Sequence, residues 1–167
     1  MTVDAGPLPQ AEMDRFVRSH GYRETAVLVD RVLRADRECF EIEAELSTER
    51  PLPYSDLQRA MPHHPAHVAA ADLLAVTGTL GCLHAWFFHG CHWDEGWAGF
   101  GNRIHRADFK RLTRRGPPLH LHSLESRRRV GQNRVVLRYA FRFEQEGAVV
   151  YLGDQTAMFV RDVFGDA

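Results

Sequence analysis

From Val68 to Gly90 the chain carries one carboxylate, Asp72, and neither lysine nor arginine. Its apolar residues, Leu73, Leu74, Val76, Leu80, Leu83, Ala85, Trp86 and Phe87, follow helical spacing yet fall nearly all round the helix. A helix apolar on every side has to be enclosed by the rest of the fold. The run approaches the length of a membrane span, but Asp72, His84, His89 and its alanine, threonine and glycine content favour the buried helix of a soluble domain. The expected start lies near Pro65 or Ala66. Gly78 and Gly81 each lower helix propensity by about 1 kcal/mol, a cost tolerated where another backbone packs close.

What could enclose such a helix is written on either side of it. "QAEMDRFVRSHG" reads as a short helix, with Met13, Phe16 and Val17 on one face and Gly21 placed to stop it. Two apolar, β-branched runs, 26–33 and 39–46, flank the polar "RADRE" and predict an antiparallel strand pair. After Trp93 no helical period returns. "GFGNRIHRADFKRL", "PLHLHSLESRRRV", "RVVLRYAFRFE" and "AVVYLGDQTAMFVRDVF" are strand-like, with turns at "RRGPP", "VGQN" and "EQEG". The order predicts an α+β domain over 10–167, one long central helix wrapped by an antiparallel sheet, behind a loose amino terminus at 1–9.

Composition excludes more than it assigns. At 167 residues, 44% hydrophobic, the chain is large enough for one core, and its formal net charge of -1 gives no general attraction to nucleic acid or an anionic membrane. Lys110 is the only lysine; arginines cluster in "KRLTRRG" and "ESRRRVG". Guanidinium forks suit phosphate groups, which makes Arg114 and Arg115 candidates for substrate binding. Cys39, Cys82 and Cys91 show no disulfide spacing, so a reducing cytoplasm is expected. "CLHAWFFHGCHW" holds enough ligand types for zinc, but Cys82 and His84 point to different helix faces and lack the spacing of a structural site, so no metal and no cofactor is expected. Tyr54, Asp154 and Gln155 are polar residues in apolar surroundings and further site candidates.

The remaining feature is the turn "HHPAH", His63 to His67, which feeds directly into the long helix. It resembles the His-Phe-Pro-Gly-His turn of the hotdog-fold 3-hydroxyacyl-thioester dehydratases, relatives of the hotdog thioesterases. "VLVDRVL" resembles that family's first strand, and the later strands resemble its meander, in the same order, over roughly 22–160. The resemblance implies a hotdog enzyme of fatty-acid or polyketide-type biosynthesis that acts on acyl carrier protein or CoA thioesters. It implies a homodimer, or a heterodimer with another hotdog subunit. It places the catalytic base on His63, with His67 as the second candidate. Imidazole, with an unperturbed pKa of ~6.5, suits removal of a proton α to a thioester and its return to a departing hydroxyl.

The chain departs from the family where a helix carboxylate is expected. Ungapped continuation from His63 puts Thr77 there, and Gly81 where a polar residue is usual. Three readings follow. A short gap brings Asp72 into the acid's role, against the plainer reading that a carboxylate in a first turn complements the helix dipole. Alternatively a partner chain supplies the acid, this chain giving only His63 or serving as a non-catalytic subunit. In the third, the chain is a thioesterase whose helix start holds the thioester carbonyl.

Overall fold

The computed structural model describes residues 6–59 and 61–162; residues 1–5 of the expected loose terminus lie outside them. Helix α1 is Gln10–Ser19 and the central helix α2 is Ala70–His89. The strands are β1 (Arg31–Asp36), β2 (Glu41–Leu46), β3 (Trp97–Phe109), β4 (Leu119–Val130), β5 (Arg134–Gln145) and β6 (Ala148–Arg161). They form one antiparallel sheet in the order β1-β2-β4-β5-β6-β3, with α2 laid against one face. This is the α+β wrap that the sequence predicts.

The inner face of the sheet is built by simple alternation. On β4, Leu119, Leu121, Ser123 and Glu125 are buried; on β5, Val135, Leu137, Tyr139, Phe141, Phe143 and Gln145 are. Against them pack Leu73, Val76, Leu80 and Leu83 of α2, each at most 2% exposed. Each buried leucine contributes roughly 1.5–3 kcal/mol by leaving water. At the carboxyl end Gly90 adopts φ 64°, its N–H donates to Trp86 O, and the Cys91 N–H returns to Ala85 O. This pattern stops the helix and satisfies its last carbonyls.

Three local expectations shift. The first apolar run does not pair as a strand throughout: Val27, Leu28 and Val29 are buried ahead of β1, and the Leu28 N–H donates to the Thr79 hydroxyl. Helix α2 begins at Ala70, four residues beyond Ala66, because His67 is bridged to Arg114 and the Val68 N–H donates to Thr113 O. That pairing holds the chain extended. Gly81 does face a close neighbour, but it is the Tyr139 ring, 3.3 Å from where a Cβ would sit, while nothing lies within 4 Å of a Cβ on Gly78.

Two edges of the sheet are unlike. Gly6 bridges Ala35 beside β1, whereas β3, thirteen residues long, has β6 on one side and no strand on the other among the described residues. Phe100 and Ile104 on β3 are exposed.

Candidate active site

The start of α2 is held by the loop before it. Asp72, fully buried in the helix's first turn, accepts the Tyr54 N–H on Oδ1 (3.1 Å) and the Ser55 N–H on Oδ2 (2.7 Å). The Ser55 hydroxyl also meets Oδ2, at 2.5 Å, and in turn accepts the Ala69 N–H at 2.8 Å. The loop is thus stitched to the helix by donors at both carboxylate oxygens. Both carboxylate oxygens are therefore engaged in fastening the loop.

The other sequence candidates divide between this end and the surface. His63 and His64 are exposed on the turn; His67 is half-buried, with Nδ1 3.0 Å from Pro65 O and its backbone carbonyl accepting the Gln58 amide at 2.7 Å. If Nδ1 carries the hydrogen that Pro65 O accepts, Nε2 of His67 is left as an acceptor. Arg114 bridges His67 through the backbone and pairs with Glu146 through its side chain. Arg115 pairs with Asp56 at 3.0 Å. The Tyr54 ring is exposed, so only its backbone joins the cluster. Tyr54, His67, Asp72 and Arg114 therefore meet around the helix start, His63 stands on the turn beside it, and Arg115 is fastened to the preceding loop.

Thr77 lies apart, seven residues from Ala70, or about 10 Å along the helix axis. It is buried, and its hydroxyl is 2.6 Å from Leu74 O and 3.0 Å from Oε1 of Gln155 on β6. Nε2 of Gln155 is 3.2 Å from the Tyr151 hydroxyl. Asp154, the neighbouring candidate, is on the opposite face of the sheet and holds the Arg138 guanidinium through two hydrogen bonds of 2.7 and 2.6 Å. The Arg138 guanidinium holds the Asp154 carboxyl below the usual carboxylate range.

A second polar group, which the sequence reading did not assemble, lies at the carboxyl end of α2. His84 is fully buried between Glu125 (Nδ1 to Oε1, 3.1 Å) and Ser123 (Nε2 to Oγ, 2.9 Å), and His89 Nε2 donates to both Glu125 oxygens at 3.0 Å. Burial pushes the His84 pKa down against the pull of Glu125. Burial pushes Glu125 up, but the hydrogen bonds from His84 and His89 outweigh it and hold the carboxyl below its ordinary value. Both directions describe a neutral His84 donating Nδ1–H to a charged Glu125. The signal was present: Ser123 and Glu125 occupy core positions in β4's alternation, as His84 does in α2.

The zinc-type residues of "CLHAWFFHGCHW" part company. His84 and His89 go to Glu125, while His92 pairs with Glu95 at 2.9 Å. Burial pushes the Cys82 and Cys91 thiols up to about 12, which makes them poor nucleophiles at neutral pH. Two groups with metal-ligand chemistry do converge among the described residues, Glu41 with Glu43 and His122, and His92 with Asp94 and Glu95. Arg34 already pairs with both carboxylates of the first and Arg15 with both of the second.

A six-stranded antiparallel sheet wrapped on one long helix is the hotdog fold, and this chain has it. It is similar to a dehydratase heterocomplex from Xenorhabdus doucetiae (12% identity, 89% of each chain, TM-score 0.59). It is also similar to a thioesterase from Pseudomonas aeruginosa (13% identity, 96% of each chain, TM-score 0.58). A fluoroacetyl-CoA-specific thioesterase, solved with fluoroacetate and CoA, matches at 13% identity over 72% of this chain and 92% of its own, with a TM-score of 0.53. No protein family and no curated protein sequence matches the chain.

Proposed function

We propose that this chain is a cytoplasmic enzyme acting on acyl groups held as thioesters, on an acyl carrier protein or on CoA, with dehydratase-type chemistry as the leading reading. The observation that carries it is the exposed histidine turn at the start of a buried helix. An imidazole there, His63 first and His67 second, takes the proton from Cα of a 3-hydroxyacyl thioester. The electron pair forms the Cα=Cβ bond, the Cβ–O bond breaks, and the hydroxide leaves with a proton as water. The same imidazole can return the proton it took, so the step balances without another reagent.

A second group to hold the leaving hydroxyl while the imidazole returns its proton is what another chain would add. Asp72 is committed to Tyr54 and Ser55, and Thr77 is not ionisable. Within one chain the exposed turn and Thr77 are separated along the helix. A second hotdog chain, the same or a different one, paired along the free edge of β3 would bring another set of site residues alongside and supply what this one lacks. Hydrolysis is the second reading. It is favoured by the same commitment of Asp72, which removes the only carboxylate on α2 from acid duty.

Mass spectrometry after incubating the purified chain with 3-hydroxyacyl and saturated acyl thioesters tests the reading. Loss of water supports the dehydratase. Free acid moves the chain to the thioesterases, and no change in either substrate leaves a non-catalytic subunit. Thr77→Glu sharpens the result: gained or faster water loss places an intact site around Thr77 that lacks only an acid.

A further inference from the structure

The Thr77, Gln155 and Tyr151 trio contains more donors than its internal bonds use. Thr77 Oγ1 lies 3.0 Å from one end of the Gln155 amide and the Tyr151 hydroxyl 3.2 Å from the other. The amide can be oriented two ways. With Oε1 towards Thr77, one amide hydrogen goes to Tyr151 and the buried phenolic hydrogen is left without an acceptor among the described residues. Turned over, the trio is better satisfied: Thr77 donates to Leu74 O (2.6 Å), Gln155 donates to Thr77, and Tyr151 donates to Gln155. In both orientations one of the two amide hydrogens of Gln155 is unspent.

That hydrogen belongs to an amide clamped at both ends yet not sealed from outside. Tyr151 is fully buried and Thr77 nearly so, while Gln155 is only half-buried. Its partner across the sheet is Ile104 on β3, 55% exposed at the free edge. The clamp itself depends on Gly153, because a Cβ there would lie 2.5 Å from the Tyr151 hydroxyl oxygen. A fixed, neutral N–H on a half-buried amide is suited to an oxygen that gains negative charge.

We propose that Gln155 holds the thioester carbonyl oxygen through this N–H, and that Thr77 and Tyr151 are the positioning residues that fix its amide. The proposal rests on the acyl-thioester reading and adds the group that stabilises the oxyanion formed when Cα is deprotonated or the carbonyl is attacked. It also gives Thr77 a purpose other than replacing an acid: its hydroxyl orients a neutral donor.

The test uses the purified chain, turnover of 3-hydroxyacyl and saturated acyl pantetheine thioesters, and the carbon-13 shift of a carbonyl-labelled thioester on binding. Gln155→Met should stay folded, with the lower melting temperature expected when the buried Tyr151 hydroxyl loses its partner, and should lower turnover by about 10²- to 10³-fold, as loss of an oxyanion donor does. Tyr151→Phe and Thr77→Val should lower kcat by about 10- to 10²-fold with KM little changed, the mark of misplacement rather than lost binding. Thr77→Ser should restore turnover. Wild-type turnover that survives Gln155→Met overturns the inference and leaves the proposed function standing. An inert wild type whose bound carbonyl shift requires Gln155 supports the inference and overturns the function. Neither turnover nor a Gln155-dependent shift overturns both.

Discussion

Ser55 gives both its backbone N–H and its hydroxyl to one oxygen of the buried Asp72, at 2.7 and 2.5 Å, while the other oxygen takes the Tyr54 N–H. The carboxylate fastens the loop before α2 to the helix's first turn. Asparagine can accept on one side only, and its NH₂ would face a backbone donor on the other. Asp72→Asn should therefore cost about 1–3 kcal/mol, the range for a buried donor left unsatisfied. Chemical denaturation measures it. A loss of water elimination with unchanged stability would instead restore Asp72 to the acid's role.

The histidine turn predicts a separable effect. His63 is exposed and makes no side-chain bond among the described residues, so His63→Ala should leave the melting temperature unchanged while lowering turnover ~10²- to 10⁴-fold, as loss of a general acid-base does. His67 is tied to Gln58 and Pro65. Full turnover in His63→Ala together with an inactive His67→Ala transfers the role to His67, and full turnover in both removes the turn from the chemistry.

Most of the sheet was legible because its strands alternate. Leu119, Leu121, Ser123 and Glu125 enter the core of β4 at period two, and the turns at "VGQN" and "EQEG" carry the residues that hairpins need. The first strand was harder, since an apolar run such as Val27 to Val29 reports burial and not pairing. The helix start was misplaced because its extended approach depends on Thr113 and Arg114, more than forty residues away. The same distance hid the site. Thr77 meets Gln155 across 78 positions and His84 meets Glu125 across 41, so one sequence could name Gln155 as a polar residue in apolar surroundings and go no further. The dimer that the resemblance implies has its place at the edge of the sheet, because the outer face is charged, with Arg34 among Asp36, Glu41 and Glu43 and with Arg138 on Asp154.

Strand β3 presents thirteen residues of backbone with β6 on one side and no strand on the other among the described residues, and Phe100 and Ile104 stand exposed upon it. A long unprotected edge is a template for another strand. Light scattering at micromolar concentration should give twice the chain mass. Ile104→Pro, which removes a backbone donor and fixes φ, should reduce that mass if the edge is the interface. A monomeric wild type would sink both the dimer and the divided site.

The last prediction concerns acid. Glu125 has its pKa lowered in the fold, so its contribution to stability is fully present above the unfolded value of ~4.3 and is lost as pH falls through the folded one. His84 is also lowered, by burial, which means that the unfolded chain takes up its proton first, from about pH 6.5 downward. Both groups act in the same direction. The melting temperature should fall as pH is lowered from 7 to 4, beginning near the histidine value and steepening in the carboxylate range. Glu125→Gln should lower the melting temperature at pH 7, because His84 and His89 lose a charged acceptor. It should also flatten the fall below pH 5. A variant that melts lower by the same amount at every pH would show that the cluster is held by packing alone, with the Phe40 ring stacked on His89 and Arg128 on Phe40.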